Sequence, residues 1–176
     1  GKFSQPWESR GDGASSRMRA TAACAKGGAM AHSYTNLLVH IVYGTAERKP
    51  LIDDAFQPRL YEYLGGTTRG LKGVCLEIGG VDDDVHMLVK LYPSIAVSDF
   101  LEKLKSNSSK WAKSVKRGFS WQGGYAAFSV SESQAEHVRR YIQKQEEHHR
   151  RSTFEEELVA LLRAHNLAYD PNHLWT

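Results

Sequence analysis

The chain has 176 residues, enough for one domain with its own hydrophobic core and a tail beside it. Apolar residues make up 41% and charged residues 24%, the ordinary balance of a globular protein. No run of about 18 apolar residues occurs, which excludes a membrane-spanning helix. The net charge of +3 is too small to argue for a nucleic-acid partner by itself, so charge placement must carry that point.

The two cysteines, Cys24 and Cys75, lack metal-type spacing and read as free thiols of a reducing cytosol. Residues 1–30 read as a flexible tail. The segment GDGASSRMRATAACAKGGAMA is rich in Gly, Ala, Ser and Arg and cannot bury enough apolar surface to fold alone. It also lacks the apolar stretch of a signal peptide, and Met30 reads as an ancestral start. Residues 31–176 then form the expected domain.

Residues 34–45 (YTNLLVHIVYGT) are β-rich and stop at Gly44, as a strand does. Residues 53–69 set Phe56, Leu60, Tyr63 and Leu64 at helical spacing. Residues 73–79 predict a second strand, and the run Gly79-Gly80-Val81-Asp82-Asp83 a turn. Residues 84–91 (DVHMLVKL) alternate as a third strand. Residues 97–116 line up Val97, Leu101, Leu104, Ser108, Trp111 and Val115 on one helical face. Residues 125–130 predict a fourth strand. Ser131 or Ser133 then caps a helix running to about His148, and Ser133 with Glu136 fits a capping box. Residues 153–165 predict a last amphipathic helix. The order βαββαβ plus two helices is the ferredoxin-like, α+β arrangement with an antiparallel sheet, helices on one face and C-terminal helices added. That fold alone names no function.

Alternation puts Val85, Met87, Val89 and Leu91 on one face of the third strand and Asp84, His86, Leu88 and Lys90 on the other. Asp84 and His86 are then roughly 7 Å apart, close enough to share one metal ion. Mixed oxygen and nitrogen donors suit Mg²⁺ or Mn²⁺. Asp84 as a turn residue and His86 as a surface histidine is the blander alternative. On the late helix, Ala135, Val138 and Ile142 form an apolar stripe, with Tyr141 and Gln145 beside it one turn apart. A core-edge tyrosine fits that spacing equally. His137, His148 and His149 read as solvated histidines at the helix end.

Together NLLVHIVYGTAERKPLI, DVHMLVKL, LKSNSSKW, WQGGYAAFSVS and YIQKQEEHH resemble the single-tyrosine HUH transposases, the insertion-sequence family often called "IS two hundred", with relatives among the REP-associated tyrosine transposases. The resemblance covers about residues 31–175. It implies that the His-hydrophobic-His motif falls on Asp84, Val85 and His86, the nucleophile on Tyr141 and a third metal ligand on Gln145. Position 84 is Asp where the pattern has His, so the metal site is either retained with an oxygen ligand or weakened. The resemblance further implies cleavage and rejoining of single-stranded hairpin DNA through a 5′-phosphotyrosine. It implies a homodimer with merged sheets, in whose active form one subunit's strand meets the other's tyrosine helix, while the sequence itself leaves both a cis and a trans placement of that helix open. The implied setting is the cytoplasm of a bacterium, at the nucleoid.

DNA contacts are expected from Lys105, Lys110, Arg140 and Lys144, within the basic runs along the second and third helices. Trp121, Tyr125 and Phe128 are aromatics that stack on bases or pack in the core. Two further readings compete with an active transposase. One is a catalytically weakened or domesticated hairpin-binding descendant. The other is a ferredoxin-like RNA-binding module, which lacks the sheet aromatics such modules use, since the motif strand offers Asp84 and His86 there.

Overall fold

The computed structural model describes residues 34–150 and 152–171. The expected tail over 1–30, with Cys24, lies outside the described residues, as do Arg151 and Leu174-Trp175. The elements follow the expected order: β1 (Leu38–Gly44), α1 (Gln57–Gly70), β2 (Val74–Gly79), β3 (Asp84–Lys90), α2 (Val97–Val115), β4 (Ala126–Val130), α3 (Glu132–Gln143), α4 (Gln145–His149) and α5 (Phe154–Ala164). The four strands form one sheet in the order β2-β3-β1-β4, every neighbouring pair antiparallel. This is the ferredoxin-like α+β architecture. Among the described residues no helix is long and apolar enough to cross a membrane.

Strand alternation sorts the core. Val85, Met87 and Val89 of β3 pack against Leu60 and Leu64 of α1 and Phe100, Leu101 and Leu104 of α2. Each such side chain, once removed from water, contributes about 1.5–3 kcal/mol. Ser108, inside this layer, is satisfied by donating to the Leu104 carbonyl at 2.6 Å and accepting from Trp121 Nε1 at 2.9 Å. The expected α2 stripe is shifted: Val115 is 39% exposed, while Phe100 and Ala112 are buried in its place.

The opposite face of the sheet is covered as well. Ile142 of α3 packs on Leu38 and Leu88, and Phe154 and Leu158 of α5 pack on Val42 and Phe128. Asp84 and His86 are therefore fully buried, where the sequence reading left them facing outward. Trp121 and Phe128 belong to the core, and Tyr125 alone of that aromatic trio is exposed.

The tyrosine helix differs from expectation in two respects. It starts from Ser131 without a side-chain cap, so the expected Ser133–Glu136 box does not form. A capping box does form at the start of α5, where Thr153 Oγ1 accepts from Glu156 N and Glu156 Oε2 accepts from Thr153 N. The helix also breaks at Lys144 (φ −100°, ψ 19°). Lys144 N donates to Tyr141 O, a three-residue step in place of a four-residue one, and α4 sets off from there.

Candidate active site

β3 begins at Asp84, and the preceding turn is shaped around it. Val81 N donates to Asp84 Oδ1 at 3.1 Å, and Gly80 (φ +150°) passes so close to Asp84 that a side chain there would collide with it. A Cβ on Gly79 would likewise strike the backbone carbonyl of Ile142. That glycine lets α3 settle onto the sheet edge and brings Tyr141, next to Ile142, over β3.

Register then assembles the donors. Val42 of β1 pairs with His86, which puts His40, two residues earlier, on the same face. His40 Nε2 lies 3.1 Å from His86 Nδ1, so one ring donates to the other. Burial, reinforced by the neighbouring His86, pulls His40 down to about 3, and burial also lowers His86. Both imidazoles are therefore neutral at neutral pH.

From the far side, α4 and α5 deliver two residues that sequence reasoning missed. His149 Nε2 sits 3.1 Å from Asp84 Oδ2 and 3.1 Å from Glu157 Oε2. His86 Nε2 is 3.8 Å from the same Glu157 oxygen. The ligand atoms of Asp84, His86, His149 and Glu157 all lie within 4.8 Å of one another. His149 is thus a member of a buried cluster, not the solvated helix-end histidine expected. Burial alone would lower its imidazole, but Asp84 and Glu157 outweigh that and raise it to about 10. Burial would raise Glu157, but His149, His86 and Tyr141 together draw it down to about 2.

The other oxygen of Glu157 turns to the tyrosine helix. Oε1 accepts from the Tyr141 hydroxyl and, at 2.9 Å, from Gln145 Nε2. Burial and the Glu157 carboxylate both push the Tyr141 phenol well above its usual range. Its ring sits edge-on to His86 at 6.0 Å and beside His148 at 4.8 Å between centroids. Within one chain, then, Asp84, His86, Tyr141 and Gln145 come together around Glu157.

Several buried polar atoms in this cluster lack a partner in hydrogen-bond geometry: Asp84 Oδ2, His86 Nε2, Gln145 Oε1 and His149 Nε2. His149 Nε2 is at ion-pair distance from its carboxylates but out of line for a hydrogen bond. Leaving such groups unpaired costs about 1–3 kcal/mol each. The converging donors of Asp84, His86, His149 and Glu157, carboxylate oxygens and two ring nitrogens, are the donor set of a divalent cation, and the residues fit one. Beside the cluster a cleft is bordered by Arg48, His149 and Arg150. Arg48 is held by Asp83 at 2.7 Å and lies over the Phe154 ring at 3.6 Å from its centroid.

The basic candidates scatter. Arg140 and Lys144 border the same cleft as Tyr141, His137 and His148. Arg140 also pairs with Glu136 at 3.0 Å. Lys110 is exposed on α2, across the sheet from the cluster. Lys105 gives its ammonium to the carbonyls of Gln122, Gly123 and Gly124 over the Tyr43 ring, and burial lowers it to about 8.

Residues 33–145 match the profile of the family described as "Transposase IS200 like". A search of curated proteins gives no match. Among solved structures, a candidate transposase from Deinococcus radiodurans R1 is similar at TM-score 0.54 and 22% identity, covering 69% of this chain and 98% of that one. A REP-associated tyrosine transposase bound to a REP hairpin is similar at TM-score 0.54 and 12% identity, covering 82% of this chain and 93% of that one. At those identities the two structures speak for the fold, while the profile match spans well over half of the sequence. On that match, the chain belongs to the IS200-like transposase family.

Proposed function

We propose that the chain cuts and rejoins single-stranded DNA, with Tyr141 as nucleophile and a divalent ion, Mg²⁺ or Mn²⁺, held by Asp84, His86 and Gln145. The observation that carries this reading is the Tyr141 hydroxyl, hydrogen-bonded to the same carboxylate that lines the donor cluster. A bound ion would polarise the scissile phosphate and offset the charge that develops on it.

The chain's own residues do the rest. Tyr141 is anchored by the Ile142–Leu88 contact and aimed by Glu157. Its oxygen forms a bond to phosphorus as the bond to the 3′-oxygen breaks. The products are a 5′-phosphotyrosine and a 3′-hydroxyl, and attack by another 3′-hydroxyl reverses the step. Glu157 Oε1 accepts the phenol's hydrogen bond and so holds the hydroxyl for attack, while the proton that the phenol gives up is taken, in balance, by the departing 3′-oxygen. His40 orients His86: donation from His86 Nδ1 to His40 Nε2 leaves His86 Nε2 with a free lone pair.

The substrate we infer is a single strand next to a hairpin, the ligand named for the similar REP-associated protein. Arg140 and Lys144 border the tyrosine's cleft and take its phosphates. Lys110 takes flanking backbone, and Lys105 acts through the Gln122–Gly124 loop it holds. The active form is a homodimer. The outer edge of β4 carries no further strand among the described residues, which leaves it open to a second copy.

The test is incubation of the chain with single-stranded hairpin DNA and Mn²⁺, followed by denaturing electrophoresis. A covalent protein–DNA adduct that disappears in Tyr141→Phe is expected. Hairpin binding with no adduct, across several metals and DNA ends, would establish the binding-only descendant instead.

A further inference from the structure

Position 84 leaves the metal motif one nitrogen short, and the fold places another nitrogen beside it. The imidazole of His149 arrives from α4, 3.1 Å from Asp84 Oδ2, and its side chain is only 13% exposed. Glu157 arrives from α5 with Oε2 facing His149 and His86, while Oε1 is taken by Tyr141 and Gln145. Asp84 Oδ2 and His86 Nε2, on fully buried side chains, point into this space without hydrogen-bond partners.

We infer that His149 and Glu157 are metal ligands in this chain, joining Asp84 and His86, with His149 restoring the second imidazole that Asp84 removed from β3. The inference rests on the metal-dependent reading above. One carboxylate then does two jobs: Oε2 faces the cation and Oε1 positions the nucleophile. Breaking the helix at Lys144 is what lets one segment supply both Tyr141 and His149, because it redirects the last turn toward β3. Two ring nitrogens alongside carboxylate oxygens favour Mn²⁺ over Mg²⁺, since Mg²⁺ holds nitrogen donors poorly.

The test uses the full chain without DNA. Pulsed EPR of the Mn²⁺-loaded protein counts coordinated imidazole nitrogens directly, and titration gives affinity. Two imidazoles are expected, with Mn²⁺ bound about tenfold or more tightly than Mg²⁺. His149→Ala is expected to leave one imidazole, and His149→Ala and Glu157→Gln each to weaken Mn²⁺ by about tenfold or more. One imidazole in the parent overturns the inference, as does failure of the parent to bind Mn²⁺, or parent-like binding by both variants. The parent's nitrogen count stands even if a variant misfolds. One imidazole together with a Tyr141–DNA adduct would remove the ligand assignment and leave the transposase reading intact. Two imidazoles with no adduct would do the reverse.

Discussion

At the residue scale the chemistry turns on charge held out of water. Asp84→Asn keeps the acceptor for Val81 N but removes the anion from the cluster. We expect Mn²⁺ affinity to fall about 10–100-fold while the fold survives, read by titration and circular dichroism. His40→Ala removes the ring hydrogen-bonded to His86 Nδ1. A drop in metal affinity of similar size is expected, although His40 itself touches no metal.

The proton on His149 sets a pH dependence. Its imidazole is raised to about 10 in the metal-free chain, so a proton must leave before the ring can bind a cation. Cation affinity should therefore climb as pH rises from 6.5 toward 10, and calorimetry in buffers of different ionisation enthalpy should show proton release. The stability sign is opposite. A raised imidazole stabilises the metal-free fold below its unfolded value near 6.5, and that contribution is lost as pH passes about 10. A melting temperature that falls across this window in the parent, and stays flatter in His149→Ala, is the expected pattern.

At the element scale α3, α4 and α5 act as the lid of the cluster. Gly79→Ala drives a methyl into the Ile142 carbonyl, so α3 must lift from β2. We expect adduct formation to collapse while hairpin binding and helix content are largely kept. Thr153→Ala removes one arm of the α5 capping box and should cost about 1 kcal/mol. Strand alternation made the partnership of Asp84 with His86 legible from sequence, and the Ala135–Val138–Ile142 stripe did the same for the seat of Tyr141. Glu157 and His149 were not legible, because their place depends on the break at Lys144 and on α5 folding back over the sheet. Neither leaves a periodic mark. One signal was present: the Thr153-x-x-Glu156 box fixes where α5 begins, and hence that Phe154, Glu157 and Leu158 share its inner face. Reading the box at Ser133 instead concealed it.

At the scale of the whole molecule, a net charge of +3 gives no strong overall field, so DNA affinity must come from local cations. Arg140→Ala and Lys144→Ala should each flatten the salt dependence of hairpin binding by about 0.7 in log–log slope, the share of one single-strand phosphate contact. Binding isotherms at several salt concentrations read this directly. An unchanged slope in both variants would move the DNA path off the Tyr141 cleft. The element order and the α+β class followed from hydrophobic periodicity, whereas the covering of the second sheet face and the path of a nucleic acid across a nearly neutral surface left little trace in the sequence.

The central claim is that the Tyr141 oxygen forms the bond to DNA phosphorus. Mass spectrometry of the tryptic digest, after reaction with hairpin DNA and nuclease trimming, locates that bond. A nucleotide mass on the peptide Tyr141–Lys144, at the tyrosine, is the predicted result. A nucleotide found on Tyr125 or any other residue, with Tyr141 unmodified, would contradict it.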